Sequence, residues 1–385
     1  MNSVIDFNAL ISDRARAVDT SGIRRVFELG AKLKNPINLS IGQPDFAVPD
    51  EIKQATIRAI EDNRNGYTLT QGVSELLHAI SQHLADDVGW RVPSDDLGAI
   101  VTSGTSGALW LAFMAVLNQG DECIIADPYF VLYPALGQVT GAAMVICDTY
   151  PDFRLTAERV EPLITRRTKM LLVNSPSNPS GVVLSASELR DLVDLCERRG
   201  ILMISDEIYD EFTYADAREN GKCPSPARMT DQILLVRGFG KTYGCTGWRM
   251  GYVAGPKSIV QQMQKLQQYT YVCAPSMAQV GLAAAFDVDM SSHVAAYQRK
   301  RDMVLDAFRG VAAVEHPGGA FYAFVEVPKR LGLTASAFVE KAIGQSVLII
   351  PGKVFSQRDT HFRLSYAVSD NTLKAGLEIL RDLMN

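Results

Sequence analysis

The sequence lacks any run of basic residues. Its 38 lysines and arginines and its 43 aspartates and glutamates are dispersed along the chain, and the formal net charge is −5 at pH 7. Nucleic acids and anionic membrane surfaces are bound by clustered positive charge, which neutralises their phosphates. The dispersed charge therefore argues against both of these partners and favours a protein that acts on small molecules.

The sequence also lacks Cys-x-x-Cys pairs and histidines at metal-ligand spacing, which argues against a metal site. The scattered cysteines, which we expect to be reduced thiols, are Cys123, Cys147, Cys196, Cys223, Cys245 and Cys273. The first residues show no basic segment followed by an apolar one, as a signal peptide would. No apolar run approaches the roughly 20 residues that span a bilayer. We therefore expect a cytoplasmic location.

What the sequence does contain is an alternation of short apolar segments with amphipathic helical ones. The segments that predict strands are 99–103, 122–126, 142–147, 169–175, 201–207 and 232–238. They are too apolar to face water on one side, which indicates a buried, mostly parallel sheet in a doubly wound α/β domain. One intervening helix is predicted to begin at a capping box of Ser185 and Glu188 and to end at Gly200.

The length of 385 residues favours more than one domain. The first 45 residues lack the strand–helix alternation, so 1–45 is predicted to form an arm and part of a small domain. Residues 46–290 are predicted to form the large domain. After about residue 290 a helix, two strands and a terminal helix are segregated, which predicts a smaller α+β domain at 291–385.

The segment Gly238–Gly244, GFGKTYG, follows a predicted strand and contains Lys241. A Walker A loop requires a glycine five positions before Gly240, where the chain has Leu235, and a dinucleotide turn requires its third glycine one place earlier than Gly244. The Walker A interpretation therefore fails, and the dinucleotide pattern is weak. A lysine forms a Schiff base when desolvation or nearby positive charge lowers its pKa, and a solvated loop lysine is the alternative.

Other strand ends add residues that suit an aromatic, phosphorylated cofactor, since open α/β sheets bind ligands there. Asp206 ends an almost wholly apolar strand, where a carboxylate needs a cation such as a protonated pyridine nitrogen. Tyr209 could reach the phenolic oxygen of the same ring, and Phe130 could stack on it. The alternatives are a helix N-cap for Asp206 and core positions for Tyr209 and Phe130.

A phosphate site is predicted in the segment VTSGTSG, 101–107. Gly104 permits a sharp turn after a strand, and the amides of Thr105 and Ser106 then open a helix. A capped helix without a ligand is the structural alternative.

Four segments in order resemble the motifs of the class I/II aminotransferases of pyridoxal-phosphate fold type I. They are LVNSPSNPSG (172–181), SDEIYDEF (205–212), GFGKTYGCTGWRMGY (238–252) and FRLSYA (362–367). LSIGQPDFAVP (39–49) and NGYTLTQGVSELLHAI (65–80) match the N-terminal part of the same family. The resemblance runs from about residue 20 to the C-terminus. It implies pyridoxal 5′-phosphate as the cofactor, in a large parallel-sheet domain with a smaller α+β domain.

The resemblance assigns roles around the cofactor ring. It implies that Lys241 carries the cofactor as a Schiff base and that Asp206 pairs with the ring nitrogen. Tyr209 and Asn178 would hydrogen-bond the ring oxygen from two sides, and Phe130 would stack on the ring. The peptide bond that follows Asn178 is expected to be cis, as an Asn-Pro turn permits.

Further roles concern the phosphate and the substrate. The turn at Gly104, the amides of Thr105 and Ser106, and Arg249 would hold the phosphate. Tyr67 resembles the tyrosine that reaches the phosphate of the neighbouring subunit, which implies a homodimer with shared active sites.

Gly42 and Arg363 resemble the residues that bind the α-carboxylate of the substrate in this family. Asn178 is implied as a further substrate-binding residue. A guanidinium matches a carboxylate in a bidentate fork. An exposed strand arginine is the alternative for Arg363.

The chain departs from the family in two respects. Gly238 and Gly240 stand where serines are frequent, and the first of those serines commonly donates to the phosphate. Gln268 and Ser106 stand where different aspartate aminotransferases carry a cation for the distal carboxylate. A neutral or aromatic donor is therefore favoured, and aspartate stays open.

The implied reaction is transfer of an amino group from an L-amino acid to a 2-oxo acid such as 2-oxoglutarate or pyruvate. A carbon–sulfur β-lyase with the same cofactor is an alternative that no single residue separates. A pyridoxal-phosphate-sensing half of a transcription regulator is a remote alternative, because no basic recognition helix precedes the resemblance.

Overall fold

The computed structural model describes residues 5–18, 22, 26, 28, 30 and 33–385. The prediction for residues 1–45 therefore lies partly outside the described residues. The α-helices are α1 (Asp13–Ala17), α2 (Asp50–Glu61), α3 (Ser74–Val88), α4 (Gly104–Val116), α5 (Leu132–Thr140), α6 (Ala157–Val160), α7 (Ala186–Arg199), α8 (Phe239–Thr242), α9 (Lys257–Gln268), α10 (Ser276–Leu282), α11 (Ser291–Phe308), α12 (Ala335–Gly344) and α13 (Asp370–Met384). The strands are β1 (Ile37–Asn38), β2 (Leu97–Ser103), β3 (Glu122–Asp127), β4 (Ala143–Asp148), β5 (Thr168–Asn174), β6 (Leu202–Asp206), β7 (Ile233–Gly238), β8 (Met250–Pro256), β9 (Tyr322–Glu326), β10 (Val347–Leu348), β11 (Ile350–Pro351) and β12 (His361–Ser365).

A seven-stranded sheet in the order β2-β8-β7-β6-β5-β3-β4 forms the centre of the large part of the molecule. Its strands are parallel except for β8, which runs antiparallel to both β2 and β7. Separate apolar clusters fill its two faces. One includes Leu109 of α4 and Met263 of α9, and the other includes Ile80 of α3 and Leu192 of α7. The doubly wound, mostly parallel α/β fold is thus confirmed.

Each strand predicted in the middle of the chain overlaps an observed one. The predicted capping box is also confirmed, because the Ser185 side chain accepts from the Glu188 amide and the Glu188 carboxylate accepts from the Ser185 amide. Gly200 ends α7 in the left-handed conformation, with φ of 65°. Strand β8 was not predicted, because its glycines interrupt the apolar pattern that marked the other strands.

The C-terminal part contains a three-stranded antiparallel sheet in the order β11-β12-β9. Its core packs against α11, α12 and α13 and includes Phe338, Phe362 and Leu380. The short strand β1 pairs in parallel with β10, so a segment before residue 45 contacts this part. The domain boundaries at 45/46 and 290/291 stay a prediction.

The parallel order of β5, β6 and β7 positions the candidate site. Asn174 lies opposite Asp206, and Asp206 lies opposite Val236, so these strands end at the same edge. Antiparallel β12 brings Arg363 toward that edge from the smaller sheet. Among the described residues, no helix is both long enough and apolar enough to cross a membrane.

Candidate active site

A cavity of about 370 Å³ lies at the carboxyl edge of the large sheet. It gathers every predicted site residue except Tyr67: Gly42, Gly104, Thr105, Ser106, Phe130, Asn178, Asp206, Tyr209, Lys241, Arg249 and Arg363. Residues that are more than 300 positions apart in sequence thus open into one space.

Lys241 lies in the short helix α8, which follows β7 directly. Its Nζ donates a hydrogen bond to the backbone carbonyl of Gly42. Burial first, and the positive charges of Arg363 and Arg249 second, lower the pKa of the Lys241 amine to about 8. A neutral amine is what nucleophilic attack requires, so the site favours the reactive form.

Asp206 ends β6 and is only 2% exposed. Its Oδ2 accepts a hydrogen bond of 2.9 Å from the hydroxyl of Tyr133. Burial raises the pKa of the Asp206 carboxyl to about 6, and the Tyr133 hydrogen bond opposes that rise. The helix N-cap alternative is wrong, because the short 3₁₀ helix that follows begins after Tyr209 instead.

Tyr209 and Tyr322 form a hydroxyl pair at the cavity wall. Their oxygens lie 3.0 Å apart, and both residues are almost fully buried. Tyr322 was not predicted, since nothing in the sequence FYAFVEV marks one aromatic residue as facing the cavity. An added Cβ on Gly42 would lie 2.4 Å from the Tyr322 hydroxyl oxygen, so only glycine lets the two segments approach this closely.

Arg363 is 1% exposed on β12, so the alternative of an exposed strand arginine is wrong. Its Nη1 donates to Asn178 Oδ1 at 3.0 Å and its Nη2 to the Ser40 carbonyl at 2.9 Å. Its Nε has no partner among the described residues. The guanidinium lies 4.5 Å from the centres of the Tyr322 and Phe355 rings. Burial lowers the pKa of Arg363, because no carboxylate of the described residues compensates its charge.

The predicted phosphate turn is present at the start of α4. Gly104 has φ of 68°, a left-handed conformation that glycine adopts without strain, and Thr105 and Ser106 open the helix. Arg249 also has positive φ, 55°, and an added Cβ on Gly104 would lie 2.7 Å from its Nη2. The helix N-terminus and the guanidinium therefore form one positive concavity.

The two glycines that depart from the family pattern have different surroundings. An added Cβ on Gly238 would lie 2.8 Å from Ile208 Cδ1 and 3.0 Å from Thr105 Cγ2. An added Cβ on Gly240 would meet nothing closer than 3.4 Å. Ile208 therefore crowds the side-chain position at 238, whereas position 240 has room for a serine.

Two further predictions concern Asn178 and Tyr67. The Asn178–Pro179 peptide bond is cis, as expected. Tyr67 lies outside the cavity and is 88% exposed, so any contact it makes with a phosphate would be with that of another chain.

A second group of charged residues lies near the ends of the same strands, on the side away from the cavity. We call it the ion cluster, and its members are Asp87, Glu207, Asp210, Arg228 and Arg237. Arg237 Nη2 lies 2.9 Å from both Glu207 Oε2 and Asp87 Oδ2, and its Nε lies 3.1 Å from Asp210 Oδ2. Although burial opposes the charge, these carboxylates hold the pKa of Arg237 above its usual range. Ion-cluster residues line a larger groove of about 590 Å³, where each of these cations already has a carboxylate partner.

The geometry fits an anionic, aromatic ligand with an electrophilic carbon. The positive concavity at α4 suits a phosphate, and Phe130 and Asp206 suit the face and the nitrogen of a pyridine ring. The partly neutral Lys241 suits an aldehyde, and Arg363 has a free donor for a carboxylate.

Comparison with known proteins gives a consistent result. Residues 34–380 match the family described as aminotransferase class I and II. An aspartate aminotransferase of Sulfurisphaera tokodaii is 32% identical over 100% of this chain and 96% of its own length. Aromatic-amino-acid aminotransferase 2 of Thermococcus litoralis is 30% identical over 97% of this chain and 98% of its own. The structure of Thermus thermophilus aspartate aminotransferase with maleate is similar with a TM-score of 0.89 and 30% identity, over 97% of this chain and 99% of that one.

Proposed function

The chain belongs to the class I and II aminotransferase family, and from this premise we propose that it is a transaminase that depends on pyridoxal 5′-phosphate. It would move the amino group of an L-amino acid to a 2-oxo acid such as 2-oxoglutarate or pyruvate. That the chain is an enzyme follows from the family itself.

One observation carries the proposal. Among the groups that line the cavity are the buried carboxylate of Asp206, the half-buried cation of Lys241 and the buried cation of Arg363, and none of these three forms an ion pair among the described residues. Buried charges are costly unless they are compensated. A ligand with a positive ring nitrogen would compensate Asp206, its aldehyde would react with the neutral form of Lys241, and the carboxylate of a substrate would compensate Arg363.

Pyridoxal phosphate bound here would supply an aldehyde that takes up amines and a ring that accepts the electron pair left at the substrate Cα. Asp206 would keep a proton on the ring nitrogen. Tyr209 and Asn178 would donate to the ring oxygen, and Phe130 would cover one face of the ring.

The remaining residues would act on the phosphate and the substrate. Arg249 with the amides of Thr105 and Ser106 would hold the phosphate. Arg363 would orient the substrate through its α-carboxylate. Lys241 Nζ, neutral above pH about 8, would then take the proton from Cα.

A neutral or aromatic donor fits the cavity better than aspartate does. Beyond Lys241, Arg249 and Arg363, no basic side chain lines the cavity among the described residues. Ser106 lies at the phosphate turn, and Gln268 is exposed at the end of α9. The names of the relatives do not decide between donors, because the aspartate and the aromatic enzymes are 32% and 30% identical to this chain.

A second copy of the chain is the proposed partner. Large side chains with high exposure surround the segment that resembles the shared-site motif. They include Tyr67 at 88%, Leu69 at 68% and Tyr269 at 83%. Such a patch on one chain marks an interface, and a homodimer would bring Tyr67 to the other cavity. Sedimentation of the purified protein tests this point, and a monomer with full activity would exclude it.

The transaminase proposal is tested by a single-turnover spectral screen. Protein loaded with pyridoxal phosphate is mixed with each common amino acid in turn, without a 2-oxo acid, and the absorption band of the cofactor is followed. We expect conversion of the band with one equivalent of 2-oxo acid released, and strongest conversion with neutral or aromatic donors. Continuous release of ammonia with an unchanged band would instead assign the β-lyase reaction.

The matched variants for this screen are Lys241→Ala and Lys265→Ala. Lys265 is exposed on α9, so its removal should leave the spectra unchanged. Lys241→Ala should lose the band of covalently attached cofactor and all turnover.

A further inference from the structure

Tyr133 is a buried tyrosine that the sequence did not single out. It lies in the first turn of α5 and is 2% exposed. A hydroxyl in such a place is costly unless it has a hydrogen-bond partner. Its partner is the Asp206 carboxylate, at 2.9 Å.

The two carboxylate oxygens of Asp206 have different hydrogen-bond partners. Oδ2 accepts from Tyr133, whereas Oδ1 has only a long contact of 3.4 Å with the Ile208 amide. Tyr133 therefore holds Oδ2 in place, while Oδ1 keeps acceptor capacity for a ligand. A carboxylate held in this way presents a defined lone pair to a ring nitrogen.

The aromatic ring of Tyr133 makes a second contact, with another residue of the candidate site. It meets the Phe130 ring edge to face, with centroids 5.7 Å apart and planes at 81°. Phe130 and Asp206 come from different elements and are the residues proposed to contact the face and the nitrogen of the cofactor ring. Tyr133 is in direct contact with both.

We propose that Tyr133 is a positioning residue for the cofactor, which fixes the Asp206 carboxylate through its hydroxyl and the Phe130 ring through its own ring. This inference rests on the proposed function. A purely structural tyrosine would stabilise the fold without altering how Asp206 binds a ring nitrogen.

The titratable groups around this contact are few. Glu207 follows Asp206 and its charge raises the pKa of Asp206, Tyr209 faces it from the 3₁₀ turn, and Cys123 of β3 faces Tyr133. All of these stay in place when only the Tyr133 hydroxyl is removed.

The test is the affinity of the cofactor-free protein for pyridoxal phosphate between pH 5 and pH 8. Tyr133→Phe removes the hydroxyl and keeps the ring. Loss of a donor to the carboxylate raises the pKa of Asp206, so the carboxylate is protonated, and affinity falls, at a higher pH than in the unmodified protein. We expect the bend in log Kd against pH to move up by about one pH unit.

Tyr129→Phe is the matched control. Tyr129 lies four residues before Tyr133 and is half-buried, and its hydroxyl has no hydrogen-bond partner among the side chains described. The same chemical change there should leave the bend where it is. If the bend in log Kd against pH lies at the same pH in Tyr133→Phe and Tyr129→Phe, the proposal is overturned.

A double-mutant cycle keeps the test decisive if Tyr133→Phe lowers stability. In an Asp206→Asn background the side chain at 206 no longer titrates, so adding Tyr133→Phe should leave the pH profile unchanged. A shift that persists in this background would show that Tyr133 does not act through Asp206. If the unmodified protein binds no pyridoxal phosphate, the proposed function fails instead, and the two failures are thus distinct.

Discussion

Arg237 and Arg363 are both almost completely buried, at 2% and 1% exposure, yet their surroundings are opposite. Arg237 contacts the carboxylates of Asp87, Glu207 and Asp210. Arg363 contacts an amide oxygen, a carbonyl and two aromatic rings, and its Nε finds no hydrogen-bond partner in the part of the chain that the structure describes. Correspondingly, the pKa of Arg237 is raised and that of Arg363 is lowered.

The comparison separates two uses of buried charge. The ion cluster ties β6 and β7 to α3, so it holds in place the strand ends that carry Asp206 and Lys241. Arg363 is held by neutral groups, and its charge is compensated only when an anion enters the cavity. Removing one partner of a paired buried charge damages the fold, whereas removing an unpaired one damages binding.

The largest effect that tests the comparison is expected for Arg363→Met. Loss of the carboxylate fork should lower kcat/KM about a thousandfold, since truncating such a contact costs ~4 kcal/mol. The free energy of unfolding in urea should fall by no more than about 1 kcal/mol, because an uncompensated charge is also removed. Arg363→Lys keeps the positive charge but loses the bidentate guanidinium, so its kcat/KM should lie between that of Arg363→Met and that of the unmodified protein. An unchanged kcat/KM would end the assignment of Arg363 to the substrate.

Arg237→Met should have the reverse profile. It leaves three carboxylates without their shared cation and should lower the free energy of unfolding by about 3 kcal/mol or more. The difference in free energy of unfolding between Arg237→Met and the unmodified protein should become smaller as the pH falls, because protonated carboxyls need no counter-charge. The control is Arg309→Met, which breaks a pair with Asp306 in which both side chains are exposed and should cost about 1 kcal/mol at most. Equal stability of the two variants would contradict a structural role for the ion cluster.

A smaller effect links Arg363 to the Lys241 amine. The rate at which cofactor-free protein takes up pyridoxal phosphate covalently should rise with pH, with a midpoint of about 8, since only the neutral amine reacts. A nearby cation favours the neutral amine, so Arg363→Met should raise this midpoint, by up to about one pH unit. The midpoint of Arg309→Met should not move, because Arg309 is exposed and does not line the cavity, and a downward shift in Arg363→Met would refute the electrostatic coupling.

The smallest effect is expected for Tyr322→Phe, which keeps the ring beside Arg363 and removes the hydroxyl that pairs with Tyr209. We expect kcat/KM to fall by up to about tenfold, in line with ~1 kcal/mol for a hydrogen bond. Tyr214 and Tyr366 form a matched buried hydroxyl pair, also 3.0 Å apart, away from the cavity. Tyr366→Phe should cost similar stability and leave kcat/KM unchanged. Equal kinetics of the two variants would place Tyr322 among the purely structural residues.

The sequence predicted the parts of the site that local pattern determines. Asp206 ends an apolar strand and Gly104 begins a helix directly after a strand. Because parallel strands end at one edge, their convergence follows from the order of elements. The fold class followed from the same alternation of strands and helices. The roles proposed for Lys241 and Arg363 needed the family resemblance, because the sequence around a single lysine or arginine does not distinguish a functional residue from a structural one.

The sequence could not predict the residues whose role depends on long-range contacts. Tyr133 and Asp206 are 73 positions apart, and Tyr209 and Tyr322 are 113 apart. No periodicity distinguishes these tyrosines from core ones. The ion cluster was missed for the same reason, since Asp87 is a polar residue at the end of an amphipathic helix until folding brings it to Arg237.

The crowding at Gly238 makes two positions dependent on each other in evolution. A serine there would place its Cβ 2.8 Å from Ile208 Cδ1, so the isoleucine would have to move before the new hydroxyl could face a phosphate. The fitness effect of serine at 238 therefore depends on which residue occupies 208. A smaller residue at 208 should make serine at 238 less costly than it is beside isoleucine, whose terminal Cδ1 must first rotate away.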